Sequence, residues 1–253
     1  MPNLAKARFY ITVVKITGLE RTTLPEVAFA GRSNAGKSSA INAICNRKKL
    51  AFASRTPGRT QSLNYFSLDD KEGSPEAFLV DTPGYGYAQA PKEMKKTWDQ
   101  LAGQYLQVRG NLSALILIVD IRRGLGPLDK SLIAWVQPNV PILVLLSKAD
   151  KLGQQERMKA LAALRAQPEL ADRQIFTLLF SVLTNIGIED TRAFINYFMN
   201  PVGPPPPEPD GSRRKVKDTN SKILDKKNPS DHSARVECLH KAPAQGGEAG
   251  PDP

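Results

Sequence analysis

Residues 31–38 read GRSNAGKS and fit the spacing G-x-x-x-x-G-K-[ST], which is typical of a loop that binds nucleotide phosphates. An apolar run at 27–30 precedes them and a helix-compatible run at 39–44 follows, so strand, loop and helix come in the required order. Glycines let backbone N–H groups turn inward around a phosphate, and a helix N-terminus adds positive potential. In this arrangement Lys37 reaches the β- and γ-oxygens of a nucleotide, and the Ser38 hydroxyl binds Mg²⁺.

A second motif, D-T-P-G at 81–84, follows the apolar run 77–80. Asp81 therefore lies at the carboxyl end of a predicted strand, where open α/β sheets bind their ligands. We expect its carboxylate to hold Mg²⁺ through a water molecule and the Gly84 N–H to meet the γ-phosphate. Both residues are thus predicted to lie beside the phosphate loop.

A third motif, S-K-A-D at 147–150, ends the apolar run 141–146 and is similar to the guanine-reading N/T-K-x-D pattern. The Asp150 carboxylate can accept from guanine N1–H and from the 2-amino group, whereas adenine offers neither donor. Binding of ATP would leave a buried carboxylate unpaired, so discrimination against it should be large. Any one of the three motifs alone could be a surface turn after a strand. Their order and spacing together favour a GTPase domain.

A polar segment without periodicity, 53–62, stands between the first predicted helix and the second strand of that domain. GTPases place there the mobile loop called switch I, which the γ-phosphate and Mg²⁺ order. Thr60 is our candidate for the threonine that completes the Mg²⁺ shell, and Thr56 is its rival. The alternative interpretation is an ordinary long surface loop.

The periodicity of the remaining chain predicts an α/β fold: a Ras-like phosphate-loop GTPase, built as a three-layer sandwich. Its central sheet is mostly parallel, with one antiparallel strand. The predicted strands are 7–16, 27–30, 63–68, 77–80, 114–120, 140–146 and 174–180. The predicted helices after the first are 91–108, with Met94, Trp98, Leu101, Tyr105 and Val108 as its buried face; 127–136; one with apolar Leu152, Met158, Leu161 and Leu164; and 188–199, with Phe194, Ile195 and Phe198 inward.

Composition fits a soluble enzyme, because 253 residues with 41% hydrophobic content can bury a full core. Two distant cysteines, Cys45 and Cys238, give neither a disulfide framework nor a metal spacing. The N-terminus lacks the apolar core of a signal peptide, and the longest apolar runs are far too short to span a bilayer. We therefore expect a cytoplasmic monomer that does not contact a membrane.

The composition changes abruptly at residue 201. The tail 201–253 holds half of the 20 prolines and has almost no apolar periodicity, so we predict that it is disordered. It nearly balances its own charges, so almost all of the formal net charge of +10 belongs to the preceding residues. The predicted organisation is an extended arm or strand at 1–24, a GTPase domain at 25–200 and the tail.

Longer stretches around the motifs resemble the EngB family of bacterial GTPases, within the TrmE-Era-EngA-EngB-Septin-like superfamily. The resemblance rests on AFAGRSNAGKSS (28–39), TPGRTQ (56–61), DTPGYGYA (81–88), DIR (120–122) and KADK (148–151), and it covers about residues 7–199. It implies assembly of the large ribosomal subunit, with ribosomal RNA and proteins as partners, and a need for the protein in cell division and septation.

The resemblance also implies that Ser38 and Thr60 bind Mg²⁺ and that GTP or GDP contacts five segments. The residues of these segments are Gly31, Arg32, Ser33, Asn34, Ala35, Gly36, Lys37, Ser38, Gly58, Arg59, Thr60, Gln61, Ser62, Asp81, Thr82, Pro83, Gly84, Lys148, Ala149, Asp150, Lys151, Phe180, Ser181 and Val182. Two stretches depart from the family pattern. Ser147 replaces a usual threonine but keeps a hydroxyl, and 182–185 (VLTN) replaces a Ser-Leu-Lys-Arg type of sequence in the last guanine loop.

The residues that we expect to take part in hydrolysis are Lys37, Thr60, Gly84 and Asn34. Many GTPases have a water-orienting glutamine directly after D-x-x-G, but this chain has Tyr85, and no arginine can be assigned as an internal finger. Intrinsic turnover should therefore be slow, on the order of 10⁻⁴ to 10⁻³ per second. In some related GTPases an asparagine at the place of Asn34 helps to hold K⁺ against the phosphates, which would supply the missing positive charge. The alternative is that Asn34 only caps or shapes the loop.

Two functions from different classes remain open at this stage. The first is a GTP-hydrolysing assembly factor for the large ribosomal subunit, which the basic charge before the tail favours. The second is a regulatory GTP switch that acts on division-site proteins without contacting RNA.

Overall fold

Seven strands form one sheet in the computed structural model, which describes residues 2–52, 62–86, 99–171 and 173–200, all within one unit, Met1–Ser212. The strands are β1 (Arg8–Val13), β2 (Glu26–Gly31), β3 (Leu63–Asp69), β4 (Pro75–Asp81), β5 (Leu112–Asp120), β6 (Ile142–Ser147) and β7 (Ile175–Leu179). Their order across the sheet is β1-β3-β4-β2-β5-β6-β7. Every strand that the sequence predicts within these ranges is present, with ends shifted by a few residues.

Only β3 runs against the other six strands. It pairs antiparallel with both β1 and β4, while β2 pairs parallel with β4 and β5, and β6 pairs parallel with β5 and β7. The prediction of a mostly parallel sheet with one antiparallel strand is therefore confirmed. Because β2, β4, β5 and β6 are parallel, their carboxyl ends meet at one edge of the sheet.

The helices are α1 (Lys37–Ile44), α2 (Gln104–Val108), α3 (Pro127–Trp135), α4 (Gln154–Arg165) and α5 (Ile188–Met199), and a π-helical turn, Asp99–Gly103, precedes α2. Short 3-10 helices occur at Leu4–Lys6, Ile16–Gly18, Ala149–Lys151 and Pro168–Leu170. Helix α5 has the bounds that its apolar spacing predicts. The predicted helical residues 91–98 lie outside the described ranges.

Two apolar clusters cover the two faces of the sheet. One contains side chains of α2, α3 and α4, and the other contains side chains of α1 and α5. Strand β2 contributes to both, because Ala28 and Ala30 face the first cluster while Val27 and Phe29 face the second. The sheet is thus the middle layer of the predicted three-layer sandwich.

Two apolar helical residues are exposed, and one of them, Val108, was expected on a buried face. Val108, predicted to continue the face of Leu101 and Tyr105, is 65% exposed at the end of α2. The π-helical turn ends at Gly103, before this point. The step of three from Tyr105 to Val108 falls about 60° short of a full turn and carries Val108 away from the buried Tyr105 and Leu106. Met158 is 50% exposed, because steps of three fall about 60° short of a full turn and carry it away from Leu161 and Leu164. Leu152, which was predicted to belong to this helix, precedes it.

A closed polar cluster lies at the amino end of β2. Glu26 is fully buried and accepts hydrogen bonds from the Tyr65 hydroxyl (3.3 Å), the Tyr105 hydroxyl (2.8 Å) and the Asn111 amide (3.2 Å). The Arg109 guanidinium donates to it twice, at 3.0 and 2.5 Å. This set joins β2 to β3, α2 and the start of β5, far along the strand from the edge that carries the sequence motifs.

None of the helices within the described ranges is long and apolar enough to cross a membrane. The tail 201–253 lies outside those ranges, and the domain boundaries at 24 and 200 stay a prediction.

Candidate functional site

The phosphate-loop motif connects the carboxyl end of β2 to the first residue of α1, as the sequence predicts. Gly31 passes so close to β5 that a Cβ there would lie 2.7 Å from the Ile118 carbonyl oxygen. Asn34 and Gly36 have φ angles of 67° and 104°, in the left-handed region that Asn and Gly adopt most readily. The loop can therefore curl at the start of α1, where free backbone N–H groups collect.

Lys37 and Asp81 meet at this edge of the sheet. The Lys37 ammonium forms an ion pair with the Asp81 carboxyl at the end of β4, and both side chains are largely buried. The next residue, Thr82, is fixed to β2, because its N–H (3.0 Å) and its hydroxyl (2.8 Å) both donate to the Phe29 carbonyl. The structure thus brings together Lys37 of the phosphate-loop motif and Asp81 of the D-T-P-G motif.

Gly84 lies against the phosphate loop. A Cβ at this position would approach the Ser33 hydroxyl oxygen to 3.1 Å, so a larger residue would press on the loop. The following Tyr85 is bound to the loop through its backbone: the Ser33 N–H donates to the Tyr85 carbonyl (2.9 Å), and the Tyr85 N–H donates to the Gly31 carbonyl (3.3 Å). The D-x-x-G segment and the phosphate loop are therefore one connected surface.

Lys148 links the guanine-reading motif to the phosphate loop. Its ammonium donates to the Asn34 carbonyl (2.7 Å) and to the Asp120 carboxyl (3.0 Å). The same carboxyl receives two bonds from the Arg122 guanidinium, and these contacts hold the pKa of Asp120 well below its ordinary value. Asp120 has no role in the predicted site, although a charged residue at the end of a long apolar strand is a signal of function.

Asp150 and the end of β7 come together, as the motif order implies. The Ser181 hydroxyl donates to one Asp150 oxygen at 2.7 Å, and the Lys151 ammonium lies 3.5 Å from the other. The hydrogen bond from Ser181, with further help from Lys151, lowers the pKa of Asp150. The Ala149 N–H also donates to the Phe180 carbonyl at 3.0 Å. This carboxylate is held ionised and oriented, as a reader of guanine donors requires.

At position 147 this chain has serine where the family usually has threonine, and the hydroxyl that both residues carry makes contacts here. Its hydroxyl is buried at the end of β6 and lies within hydrogen-bonding distance of the Ala35 carbonyl (2.6 Å) and the Val119 carbonyl (3.1 Å). The hydroxyl therefore anchors the phosphate loop, and serine performs this task without the threonine methyl group.

The other unusual stretch, 182–185, belongs to a tight loop between β7 and α5. The Ser181 N–H donates to the Ile186 carbonyl at 3.0 Å, and Gly187 has a φ of 73°. A Cβ on Gly187 would lie only 2.2 Å from the Leu179 carbonyl oxygen. Asn185 also lies in the left-handed region, with a φ of 56°, so the loop closes on Gly187, on Asn185 and on Ser181.

Several predicted site residues lie outside the described ranges. They are Thr56, Gly58, Arg59, Thr60 and Gln61. Ser62 is described, and it is buried immediately before β3. The placement of all six residues beside the phosphate loop stays a prediction.

An open cavity of about 180 Å³ borders the phosphate loop on the side of β5. Its lining residues are Arg32, Ser33, Asn34, Ala35, Ile118, Val119, Asp120, Arg122, Arg123, Gly124, Asp129 and Lys148. Cations outnumber carboxyls in this lining, so the cavity favours an anionic ligand.

Comparison with known proteins agrees with this geometry. A family model described as "50S ribosome-binding GTPase" matches residues 26–148. A protein from Ralstonia nicotianae named "Probable GTP-binding protein EngB" is 45% identical over 223 residues, which cover 85% of this chain and 95% of that protein. A protein of the same name from Burkholderia pseudomallei (strain 1106a) is 49% identical over 204 residues, covering 78% and 93% of the two chains.

Solved structures share the fold at lower identity. The crystal structure of a probable GTP-binding protein EngB has a TM-score of 0.52 at 22% identity and covers 70% of this chain and 100% of that one. Era, solved with MgGDPNP and nucleotides 1506–1542 of 16S ribosomal RNA, has a TM-score of 0.53 at 21% identity, covering 72% and 58%. With nearly half of its residues identical over almost the full length of its relatives, the chain belongs to the EngB family of GTP-binding proteins and is a GTPase.

Proposed function

We propose that this GTPase assists assembly of the large ribosomal subunit and is needed for normal cell division and septation. It binds pre-ribosomal RNA or protein in one nucleotide state and leaves after GTP has been hydrolysed to GDP and phosphate. The observation that carries the proposal is the match of residues 26–148 to the ribosome-binding GTPase model. The formal net charge of +10 supports it, because cationic side chains that neutralise RNA phosphates release counterions.

The nucleotide occupies the edge of the sheet at which the motifs meet. Backbone N–H groups of 31–38 surround the β-phosphate, and Lys37 moves from Asp81 to the phosphate oxygens. Asp150 accepts from the two guanine donors, with its orientation fixed by Ser181. The N–H groups of 180–182 lie beside the guanine carbonyl, since Phe180 is already bonded to Ala149 next to Asp150.

The residues present fit a Mg²⁺ ion. Ser38 lies in the first turn of α1 directly after Lys37, and its hydroxyl makes no hydrogen bond to any other described residue, so it is available as a ligand. Asp81 would hold the ion through water, and Thr60, outside the described ranges, would complete the shell. When bound, Mg²⁺ neutralises charge that develops between the β- and γ-phosphates.

Intrinsic hydrolysis is slow, because no described side chain takes the place of the water-orienting glutamine. The Tyr85 side chain turns into the protein and hydrogen-bonds Asp129. Asn34, in contrast, is exposed, and its side chain makes no hydrogen bond within the described ranges. It can therefore help to hold K⁺ against the phosphates, where positive charge stabilises the transition state.

The role of Asn34 can be tested by measuring turnover in KCl and in NaCl at equal ionic strength. Asn34→Gly removes the side-chain amide but adopts the left-handed backbone readily. Asn34→Ala removes the amide and also disfavours that backbone, so comparing the two variants separates ion binding from loop shape. If Asn34 serves K⁺, both variants lose the KCl stimulation of the parent. Equal parent rates in both salts, with and without ribosomal particles, contradict this role.

The ribosomal role can be tested by sedimenting the endogenous cytoplasmic protein on sucrose gradients. We expect it to comigrate with large-subunit precursors in a nonhydrolysable GTP analogue, to return to monomer fractions in GDP, and to leave the particles after ribonuclease treatment. Sedimentation as a monomer in every nucleotide state, together with recovery on division-site proteins, would instead support a regulatory switch without RNA contact.

A further inference from the structure

Tyr85, which directly follows the D-x-x-G motif, is locked into the protein by a side chain distant in sequence. It is 7% exposed, and its hydroxyl donates to an oxygen of Asp129 at 2.5 Å. Asp129 itself is 1% exposed. Burial, reinforced by the Asp129 carboxyl, holds the pKa of the Tyr85 phenol well above its ordinary value, so the hydroxyl keeps its proton and remains a donor.

Asp129 is in turn fixed by the helix that carries it. It is the third residue of α3, and its second oxygen accepts from the Gly126 N–H at 2.8 Å, which caps the start of that helix. One oxygen therefore serves the helix while the other serves Tyr85. A carboxyl bound in this way cannot rotate without losing one of its two contacts.

Gly84 lies between two anchored neighbours. Upstream, Thr82 is bound twice to the Phe29 carbonyl, and downstream, Tyr85 is bound through its backbone to the phosphate loop and through its side chain to Asp129. Gly84 also passes within close range of Ser33. The Tyr85 side chain therefore adds a further anchor, beside its two backbone bonds, to the segment that carries Gly84.

We propose that Tyr85 and Asp129 are positioning residues that hold the Gly84 N–H where the γ-phosphate of GTP accepts it. The proposal rests on the proposed GTPase function and on the contact between the Gly84 N–H and the γ-phosphate that the D-x-x-G motif predicts, and it extends that contact to helix α3. GDP has no γ-phosphate, so the contact strengthens binding of GTP and leaves binding of GDP unchanged. Tyr85 thus does not replace the glutamine of other GTPases but sets the nucleotide preference from behind the site.

The test compares Tyr85→Phe with Tyr105→Phe. Both changes remove one buried phenol hydroxyl that donates to a carboxyl, but Tyr105 donates to Glu26 at the opposite end of β2. Affinities for GDP and for a nonhydrolysable GTP analogue are measured by calorimetry, and thermal unfolding is measured alongside. A purely structural role predicts lower thermal stability and the same analogue-to-GDP affinity ratio in both variants.

We expect Tyr85→Phe to weaken binding of the analogue by about fivefold or more and to change GDP affinity by less than about twofold. Tyr105→Phe should leave the affinity ratio at the parent value. Asp129→Ala offers a second variant, because it removes the acceptor of the Tyr85 hydroxyl, and it should shift the ratio in the same direction.

An unchanged ratio in Tyr85→Phe overturns the positioning role while leaving the nucleotide site intact. Failure of the parent protein to prefer either guanine nucleotide over ATP overturns the site itself, and the positioning role with it. The two failures are distinguishable because the second is visible before any variant is made.

Discussion

The two ends of strand β2 carry charged side chains of similar types but differ in how completely these are enclosed. At the amino end, Glu26 is fully buried, and four neighbouring side chains donate to it. At the carboxyl end, Lys37 pairs with Asp81, and Lys148 pairs with Asp120 at the border of an open cavity. Both ends have a carboxyl paired with a cation. Only the groups at the carboxyl end border open space, so only they can exchange a protein partner for a ligand.

This difference separates structural from functional polar groups. A buried carboxyl is stable only when its lone pairs are satisfied, and the amino-end cluster achieves this with protein groups alone. The carboxyl-end groups sit where strand ends and backbone N–H groups leave space for phosphates and a base. Enclosure, rather than the presence of charge, identifies which cluster serves the nucleotide, and the following changes test that distinction.

The largest effect should come from Lys37→Ala or Ser38→Ala at the open end. Nucleotide binding or Mg²⁺-dependent hydrolysis should fall below detection, because the proposed site uses Lys37 for the phosphates and Ser38 for the metal. Calorimetry with GTP and a turnover assay measure this, and Lys130→Ala, which breaks a surface ion pair with Glu169, is the matched control. Unchanged GTP affinity and turnover in both site variants would contradict the assignment of residues 31–38 as the phosphate loop.

Glu26→Ala should have the next largest effect, on stability rather than on binding. It leaves Arg109 and two buried hydroxyls without their acceptor, which should cost about 3–5 kcal/mol of unfolding free energy. Urea denaturation measures the loss, and the protein that remains folded should bind GTP with parent affinity. A variant of normal stability but weakened GTP affinity would mean that the two ends of β2 are not separate in function.

Asp150→Asn should change specificity by about a hundredfold or more, since it removes the acceptor for both guanine donors. Affinity for GTP should fall, and xanthosine triphosphate should be gained, because its 2-oxo group accepts from an amide. Competition binding with the two nucleotides checks both directions. Retention of parent GTP affinity would show that the guanine donors are read elsewhere.

The smallest effect concerns Asp120 and pH. Its folded pKa is depressed by the hydrogen bonds from Arg122 and by Lys148, so the carboxylate adds stability above the ordinary Asp pKa of about 3.9. That contribution is lost as the pH falls below this value toward the folded pKa, and it should amount to about 1–2 kcal/mol at most. Urea midpoints between pH 7 and pH 3 should fall less steeply in Asp120→Asn than in the parent. If the urea midpoints of both proteins depend equally on pH, Asp120 does not contribute to the loss of stability in acid.

Local patterns predicted the fold and the motif-bearing part of the site. Strand, loop and helix around Gly31–Ser38 and the strands before Asp81 and Asp150 follow from apolar runs and turn residues that lie within about ten positions of each other. Periodicity failed at Val108, because the last step of three turns this residue away from the buried face of its helix.

Contacts between distant residues could not be predicted in the same way. Glu26 looks like the polar first residue of an apolar strand, and its partners lie 39 to 85 positions away. Tyr85 and Asp129 are 44 positions apart, and no spacing rule joins them. Such pairs are selected by the packing of whole elements, so they become visible only in the folded chain.

Two hydrogen bonds give the open end a property beyond its chemistry. The Ser147 hydroxyl reaches the Ala35 carbonyl and the Lys148 ammonium reaches the Asn34 carbonyl, across 112 and 114 positions of sequence. The segment proposed to read the base and the loop proposed to hold the phosphates are thereby fixed to each other when the protein folds. The entropy lost in fixing them is then part of the cost of folding and not of the cost of nucleotide binding. More of the contact energy is therefore available for affinity.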